Sequence, residues 1–305
     1  MKKLMVTGAG GFVGGYIRQA LLAPDQTYGM ELGPVSTSDL RDADGLAREC
    51  AEARPDFVIH LAAQSFVPQS FADPRETFEV NFLGTLNLLQ ALKRSDFHGR
   101  LLFVGSGDMY GLVEPDKLPV DEDRPLKPRN PYAVSKVAAE ALCYQWSQSE
   151  GMDIVMVRPF NHIGPGQSER FVVSDFARQV VEIRLGRRAA EIAVGDIDVT
   201  RDFTDVRDVV RAYLLLLQKG GNGETYNVCS GRERSVREIL HDLIALARVN
   251  AVVKRDDARL RPAEQRRMYG SYEKLHAATG WRPEVALEQS LAENITYWEH
   301  RLKNG

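Results

Sequence analysis

The sequence predicts a doubly wound α/β fold, a parallel sheet with helices on both faces, joined to a smaller α/β part. Three observations carry this reading. Short apolar runs alternate with stretches of helical period through the first 160 residues. The runs are apolar almost throughout, as strands covered on both faces require. The series opens on a glycine-rich turn, and its rhythm changes after Phe160.

In chain order, "KLMVTGAG" reads as a strand entering a turn and "GGYIRQALL" as a helix. Residues 56–63, "DFVIHLAA", form a buried strand, and 77–94 carry apolar residues at helical spacing. "RLLFVGSG" (100–107) is a further strand. "PYAVSKVAAEALCYQWSQ" is a helix with Pro131 in its first turn and Asn130 ahead of it. "DIVMVRPF" (153–160) closes the series. Then come a Gly/Pro/Asn loop, "NHIGPGQSER", a helix, a short strand "AEIAVGD" and the helix "DVRDVVRAYLLLLQ". "ETYNVCSG" reads as a strand returning to the sheet; a basic segment (254–267) and a closing helix finish the chain. The expected division is a dinucleotide-binding domain over 1–160, with returning segments around 202–229, and a mainly substrate-binding domain over 161–305.

Composition narrows the function. A net charge of -3 argues against nucleic acid or an anionic membrane as the main partner. Cys50, Cys143 and Cys229 are odd in number and far apart, so neither a disulfide frame nor a metal site is expected. The N-terminal apolar run breaks into glycines after Val6, too early for a signal peptide, and no stretch is long enough to span a bilayer. The expectation is a cytoplasmic protein.

"TGAGGFVGG" places Gly8, Gly11 and Gly14 between a strand and a helix. Glycine permits positive φ and close approach of backbone to a pyrophosphate, and the helix N-terminus offers free N–H groups to the phosphates. Phe12 and Val13 would then be the first helical residues over that phosphate. Asp39 and Leu40 are candidates for the adenine amino group and ring; the plainer alternative for Asp39 is a capping aspartate. Glu31 lies near the distance at which a carboxylate selects NADH, but its direction is not legible. NADPH and NADH both stay open.

"NPYAVSK" (130–136) puts Tyr132 one helical turn before Lys136. A phenol of pKa near 10 is a poor acid or base alone, and a lysine on the same face is expected to bring it toward working pH. Chance supplies a YxxxK pair roughly 0.3 times in such a chain, so the pair alone is weak. Ser106 adds weight. It ends the strand "LLFVGS", at the sheet edge where ligands bind in such folds.

With "TGAGGFVG", "HLAAQSFVPQSFADP", "VNFLGTLNLL", "GSGDMYG", "NPYAVSK", "RPFNHIGPGQ", "RDFTDVRDVV", "YNVCSG" and "LRPAE", nearly the whole chain resembles the extended short-chain dehydrogenase/reductases that act on nucleotide sugars. The resemblance implies a catalytic Ser106, Tyr132 and Lys136, the last two also touching cofactor. It implies that Leu61, Ala62 and Ala63 line the cofactor and that Asn81 supports the site. Asn161, Arg201, Arg261 and Glu264 match positions that hold a nucleotide diphosphate, with Gly107 and Asp108 near the sugar. The loops most resemble GDP-sugar enzymes. The implied activity is reduction of the C4 ketone of GDP-4-dehydro-6-deoxy-D-mannose to GDP-D-rhamnose. A 4,6-dehydratase, a 4-epimerase and a non-catalytic dinucleotide sensor are the alternatives. In dehydratases with an acidic pair after the hydroxyl residue, Gly107 and Asp108 match the two positions; GDP-mannose dehydratases keep only the second, as a glutamate, so Asp108 leaves that alternative open. The family also implies a homodimer through a bundle of helices 77–94 and 132–148.

Overall fold

A computed structural model describes residues 1–23, 28–259 and 265–304. Among the described residues the strands are β1 (Lys2–Thr7), β2 (Met30–Leu32), β3 (Phe57–His60), β4 (Arg100–Val104), β5 (Asp153–Pro159), β6 (Asn161–Ile163), β7 (Glu191–Val194), β8 (Thr200–Asp205), β9 (Thr225–Val228), β10 (Glu233–Ser235) and β11 (Val252–Arg255). The helices are α1 (Phe12–Leu22), α2 (Ala43–Ala53), α3 (Val67–Ala72), α4 (Pro74–Phe78), α5 (Gly84–Arg94), α6 (Pro131–Ser149), α7 (Val172–Arg184), α8 (Val206–Lys219), α9 (Val236–Ala247), α10 (Glu273–Thr279) and α11 (Leu287–Asn304).

Six strands form the main sheet in the order β2-β1-β3-β4-β5-β9. All neighbours in it run parallel. Period-two alternation sends successive side chains to opposite faces. Leu4 and Val6 meet Ile17 of α1 and Val209 and Tyr213 of α8. Met5, between them, meets Leu46 and Cys50 of α2 and Leu88 of α5 on the other face. Helices thus cover both faces, which explains the continuous apolar runs. The order in which strands are added reverses between β1 and β3. Open sheets of this kind bind ligands outside the carboxyl ends of the strands at such a switch point.

A second core lies beyond the sheet. Phe176 and Val180 of α7, Ile239 and Leu243 of α9, and Leu291 and Trp298 of α11 bury one another there. Beside it, β6 and β8 form a small sheet with β10.

Three elements differ from the sequence reading. The expected loop after Phe160 begins as β6, which pairs with β8 in parallel. β8, "TRDFTD", is a strand despite its two aspartates. Asp202 is fully buried because it accepts from Ser230 N and Oγ at 2.7 and 2.6 Å and from Gly231 N at 2.9 Å. The expected helix over 77–94 is broken by one π turn, Glu79–Leu83.

Candidate active site

The glycine turn joins β1 to α1 at the switch point. Gly8 has φ +71°, and a Cβ there would lie 2.8 Å from the Ala62 nitrogen. A Cβ at Gly14 would lie 2.5 Å from the Ala9 carbonyl oxygen. The turn therefore lies against the segment Leu61–Ala63 after β3, with Leu61 N donating to Thr7 O at 3.2 Å. Gly11 is the N-cap of α1 and offers no side-chain cap, so its first N–H groups face outward as an anion site needs. These residues fit a dinucleotide: glycine stands where a side chain would collide, in front of an uncapped helix.

Glu31 is exposed and lies inside β2, one residue before its end, so the strand tip carries Leu32 and Gly33 rather than a carboxylate. Asp39 is held by Arg41, Nη2 to Oδ2 at 2.6 Å, and this partner pulls its carboxyl down to about 2. Asp42, not Asp39, caps α2 through the Gly45 N–H. The Leu40 side chain is buried between α2 and α5, where it closes on Gly84.

Asn130 caps α6 by accepting the Ala133 N–H at 2.7 Å, with Pro131 at the first helical position. Tyr132 and Lys136 follow on one face, both buried. Ser106 ends the segment after β4, close enough to the Tyr132 hydroxyl to act on its ionisation. Its Oγ also accepts from Asp108 N at 3.2 Å, starting a short turn over Gly107–Tyr110.

The electrostatics correct one expectation. Burial, and next the Asp108 carboxylate, push the Tyr132 phenol further above its ordinary value; the Ser106 hydroxyl pulls the other way. Lys136 does not bring it down. The ammonium instead donates to the Val104 carbonyl at 2.8 Å and sits 5.2 Å from the Phe103 ring centroid. Burial lowers the lysine itself to about 8. The site thus holds a protonated phenol, the form a proton donor needs. Because the charged lysine predominates below pH 8 and is lost above it, kcat/KM for the reduced cofactor should fall as pH rises through about 8. Lys136→Arg, charged throughout, should abolish that limb; its survival would assign the titration elsewhere.

Gly107 packs against an aromatic ring: a Cβ there would stand 3.2 Å from Phe160 Cγ, so a side chain at this position would need the ring to yield by a few tenths of an ångström. Asp108 is exposed beside it, close enough for its charge to act on Tyr132.

Asn161 is exposed on β6, and Arg201 lies on the neighbouring β8. Arg201 donates to Thr200 O at 2.7 Å and to Gln265 O at 2.8 Å, at the margin of the segment that carries two further candidates. Those two, Arg261 and Glu264, lie outside the described residues.

Two groups escaped the sequence reading. His162 stacks on Phe12, ring centroids 6.2 Å apart, and donates from Nδ1 to Phe160 O. Behind the serine turn, Arg158 makes a buried pair with Glu140, Nη2 to Oε1 at 2.6 Å. Its Nη1 donates to Tyr110 Oη at 2.9 Å, and Tyr110 donates to Asn227 Oδ1 at 2.7 Å.

A buried phenol and ammonium one turn apart on one helix, with a glycine turn at the switch point of a parallel sheet, define an extended short-chain dehydrogenase/reductase. Comparison with known proteins narrows the class: the chain belongs to the family described as GDP-mannose 4,6 dehydratase, whose model matches residues 31–294. It is 49% identical over 302 residues to a GDP-6-deoxy-D-mannose reductase of Pseudomonas aeruginosa, covering 99% of each chain. A GDP-mannose 4,6-dehydratase of Yersinia enterocolitica is 29% identical, over 97% of this chain and 93% of that one. Among solved structures, RMD from Pseudomonas aeruginosa complexed with NADPH superposes with a TM-score of 0.93 at 49% identity, covering 99% of this chain and 100% of that chain.

Proposed function

We propose that the protein is an NAD(P)H-dependent nucleotide-sugar 4-reductase, converting GDP-4-dehydro-6-deoxy-D-mannose to GDP-D-rhamnose. The observation that carries this reading is a buried Tyr132 with Ser106 beside its hydroxyl, one helical turn before a buried Lys136. Ketone reduction needs one proton donor and one hydrogen-bond donor at the developing alkoxide, and no more. Tyr132 delivers the proton, Ser106 holds the oxygen, and Lys136 supplies positive charge behind them. Gly8, Gly11, Phe12, Val13 and Gly14 would hold the pyrophosphate, with Leu61–Ala63 along the dinucleotide and Asp39 and Leu40 toward its adenine end. Bound there, a reduced nicotinamide supplies the hydride. Asn161 and Arg201, with Arg261 and Glu264, are assigned to the nucleotide diphosphate, since arginine suits phosphate through its planar fork. The glycine turn and main sheet make the dinucleotide domain, and the later segments make the substrate domain.

Asp108 favours a second reading, a 4,6-dehydratase with an aspartate in place of a longer glutamate. One assay separates them. With GDP-mannose, a separate 4,6-dehydratase and NADPH or NADH, a reductase oxidises cofactor only when the dehydratase is present. Consumption of GDP-mannose by this protein alone, with no net oxidation, would install the dehydratase reading instead.

Among the described residues no helix is long and apolar enough to cross a membrane. We assign the protein to the cytoplasm, as the composition and cysteine pattern of the sequence suggest. Leu83 before α5 and Val134 and Tyr144 on α6 are 46, 40 and 53% exposed. Large apolar groups on adjacent helices suit burial against a second copy. The expected assembly is a homodimer, twice 34.1 kDa by light scattering; a monomer mass at micromolar concentration would contradict it.

A further inference from the structure

Five buried side chains, spread over four separate segments of the sequence, form one directional chain of hydrogen bonds. The Ala62 N–H, in the segment against the glycine turn, donates to Thr7 Oγ1 at 3.3 Å. Thr7 Oγ1 lies 2.7 Å from His60 Nδ1, and His60 Nε2 lies 3.0 Å from Thr85 Oγ1. Thr85 donates its only hydroxyl proton to the Asn81 carbonyl at 2.6 Å. Asn81 sits in the π turn, and its Nδ2 donates to Gln64 O and to Ser135 Oγ, both at 3.0 Å. Its Oδ1 accepts the Gln64 N–H at 2.8 Å. Ser135 donates to the Tyr132 carbonyl at 2.7 Å. Thr7, His60, Asn81, Thr85 and Ser135 are each at most 1% exposed.

The directions fix the imidazole. Thr85 has spent its proton on Asn81, so it accepts from His60 Nε2–H. A neutral ring then carries its lone pair on Nδ1 and accepts from Thr7. Protonation would turn Nδ1 into a donor and add a second cation near Lys136. Burial, with a smaller contribution from that lysine, lowers His60 to about 3.

We propose that His60 is a positioning residue, locked as its Nε2–H tautomer, which ties the cofactor-facing segment Leu61–Gln64 to the first turn of the catalytic helix. One end of the chain holds the backbone against which a dinucleotide would lie. The other end holds the carbonyl of Tyr132 itself. The π turn is the geometric device: its wider winding interrupts the i→i−4 ladder around Asn81, and such turns recur at functional sites. The chain sets the spacing between the place where hydride arrives and the hydroxyl that delivers the proton. A misplacement of about 1 Å in such geometry costs about 10²-fold in rate.

The catalytic part of this inference rests on the reductase reading; the tautomer does not. Two measurements therefore run together. The first is nitrogen NMR of His60 in the whole protein, without any ligand. The expected spectrum shows a protonated Nε2, a bare Nδ1 and no titration between pH 5 and 8. A protonated Nδ1, or an imidazolium at pH 6, would overturn the chain. The second is steady-state kinetics of Thr85→Val, which keeps shape and removes the hydroxyl, beside Thr85→Ser, which keeps the hydroxyl. Thr279→Val is the stability control; Thr279 is a buried α10 threonine with the same kind of bonds, to Leu275 O and from Trp281 N. Thr85→Val should lower kcat about tenfold or more, with KM and NADPH affinity within about twofold, and Thr85→Ser should recover most of it. Thr279→Val should lose comparable thermal stability with kcat unchanged. Equal kcat in Thr85→Val and wild type, or no recovery in Thr85→Ser, would reject the positioning role. An inactive wild type with a His60 spectrum as expected would reject the reductase reading and leave the hydrogen-bond chain standing.

Discussion

Tyr132→Phe should lower kcat by about 10²–10⁴-fold, the span of a lost general acid, while NADPH affinity stays near wild type. Phenylalanine keeps the ring and fills the same buried volume, so the helix and its Asn130 cap are undisturbed. Only the hydroxyl beside Ser106 is removed. That hydroxyl acts as the carbonyl becomes an alkoxide, so kcat and kcat/KM should fall together, with KM nearly constant. Ser106→Ala should fall less, because the proton donor remains. A large loss of cofactor affinity in Tyr132→Phe with turnover preserved would show that the tyrosine only holds the dinucleotide.

The largest effect on stability is expected at Glu140. Its carboxylate receives Arg158 through two nitrogens, Nη2 at 2.6 Å and Nε at 3.0 Å, and both side chains are 8% exposed. Removing one partner of such a pair leaves a buried charge without compensation, which costs about 3–5 kcal/mol. Glu140→Leu should therefore destabilise the protein by that amount in urea unfolding. Adding Arg158→Met should restore much of the loss, since two apolar groups of similar size leave no orphaned charge. The arginine also holds Tyr110, the last residue of the turn that Ser106 begins. Glu140→Leu should then lower kcat even where the protein remains folded. A double variant no more stable than Glu140→Leu would mean that packing, not charge, carries the site.

The alternating first half was legible because a parallel sheet covered on both faces imposes uninterrupted apolar strands, and Leu4, Met5 and Val6 each found a core. The α6 start was equally plain, since Asn130 and Pro131 act locally. Other features depend on contacts that periodicity does not record. β8 looks too polar for a strand until Ser230 and Gly231 arrive to satisfy Asp202. The π turn adds one residue to a helix without disturbing its composition. Lys136 was placed on the right face, yet its ammonium turns to the Val104 carbonyl, a partner 32 residues away. Gly107 reads as a missing acid in sequence; only the fold shows that it packs against the Phe160 ring. His60 reads as one polar residue at the end of an apolar strand. Its meaning comes from Thr7 and Thr85, which only the fold brings to its two nitrogens.

The most direct test of the central claim is the fate of the cofactor hydrogen. NADPH deuterated at the transferring position of the nicotinamide ring is supplied with GDP-4-dehydro-6-deoxy-D-mannose, and the sugar product is read by NMR and mass spectrometry. One deuterium per product molecule is expected, bonded to C4 in a single configuration, with one equivalent of NADP⁺ formed. Product free of deuterium, or cofactor that keeps its label through turnover, would contradict that claim.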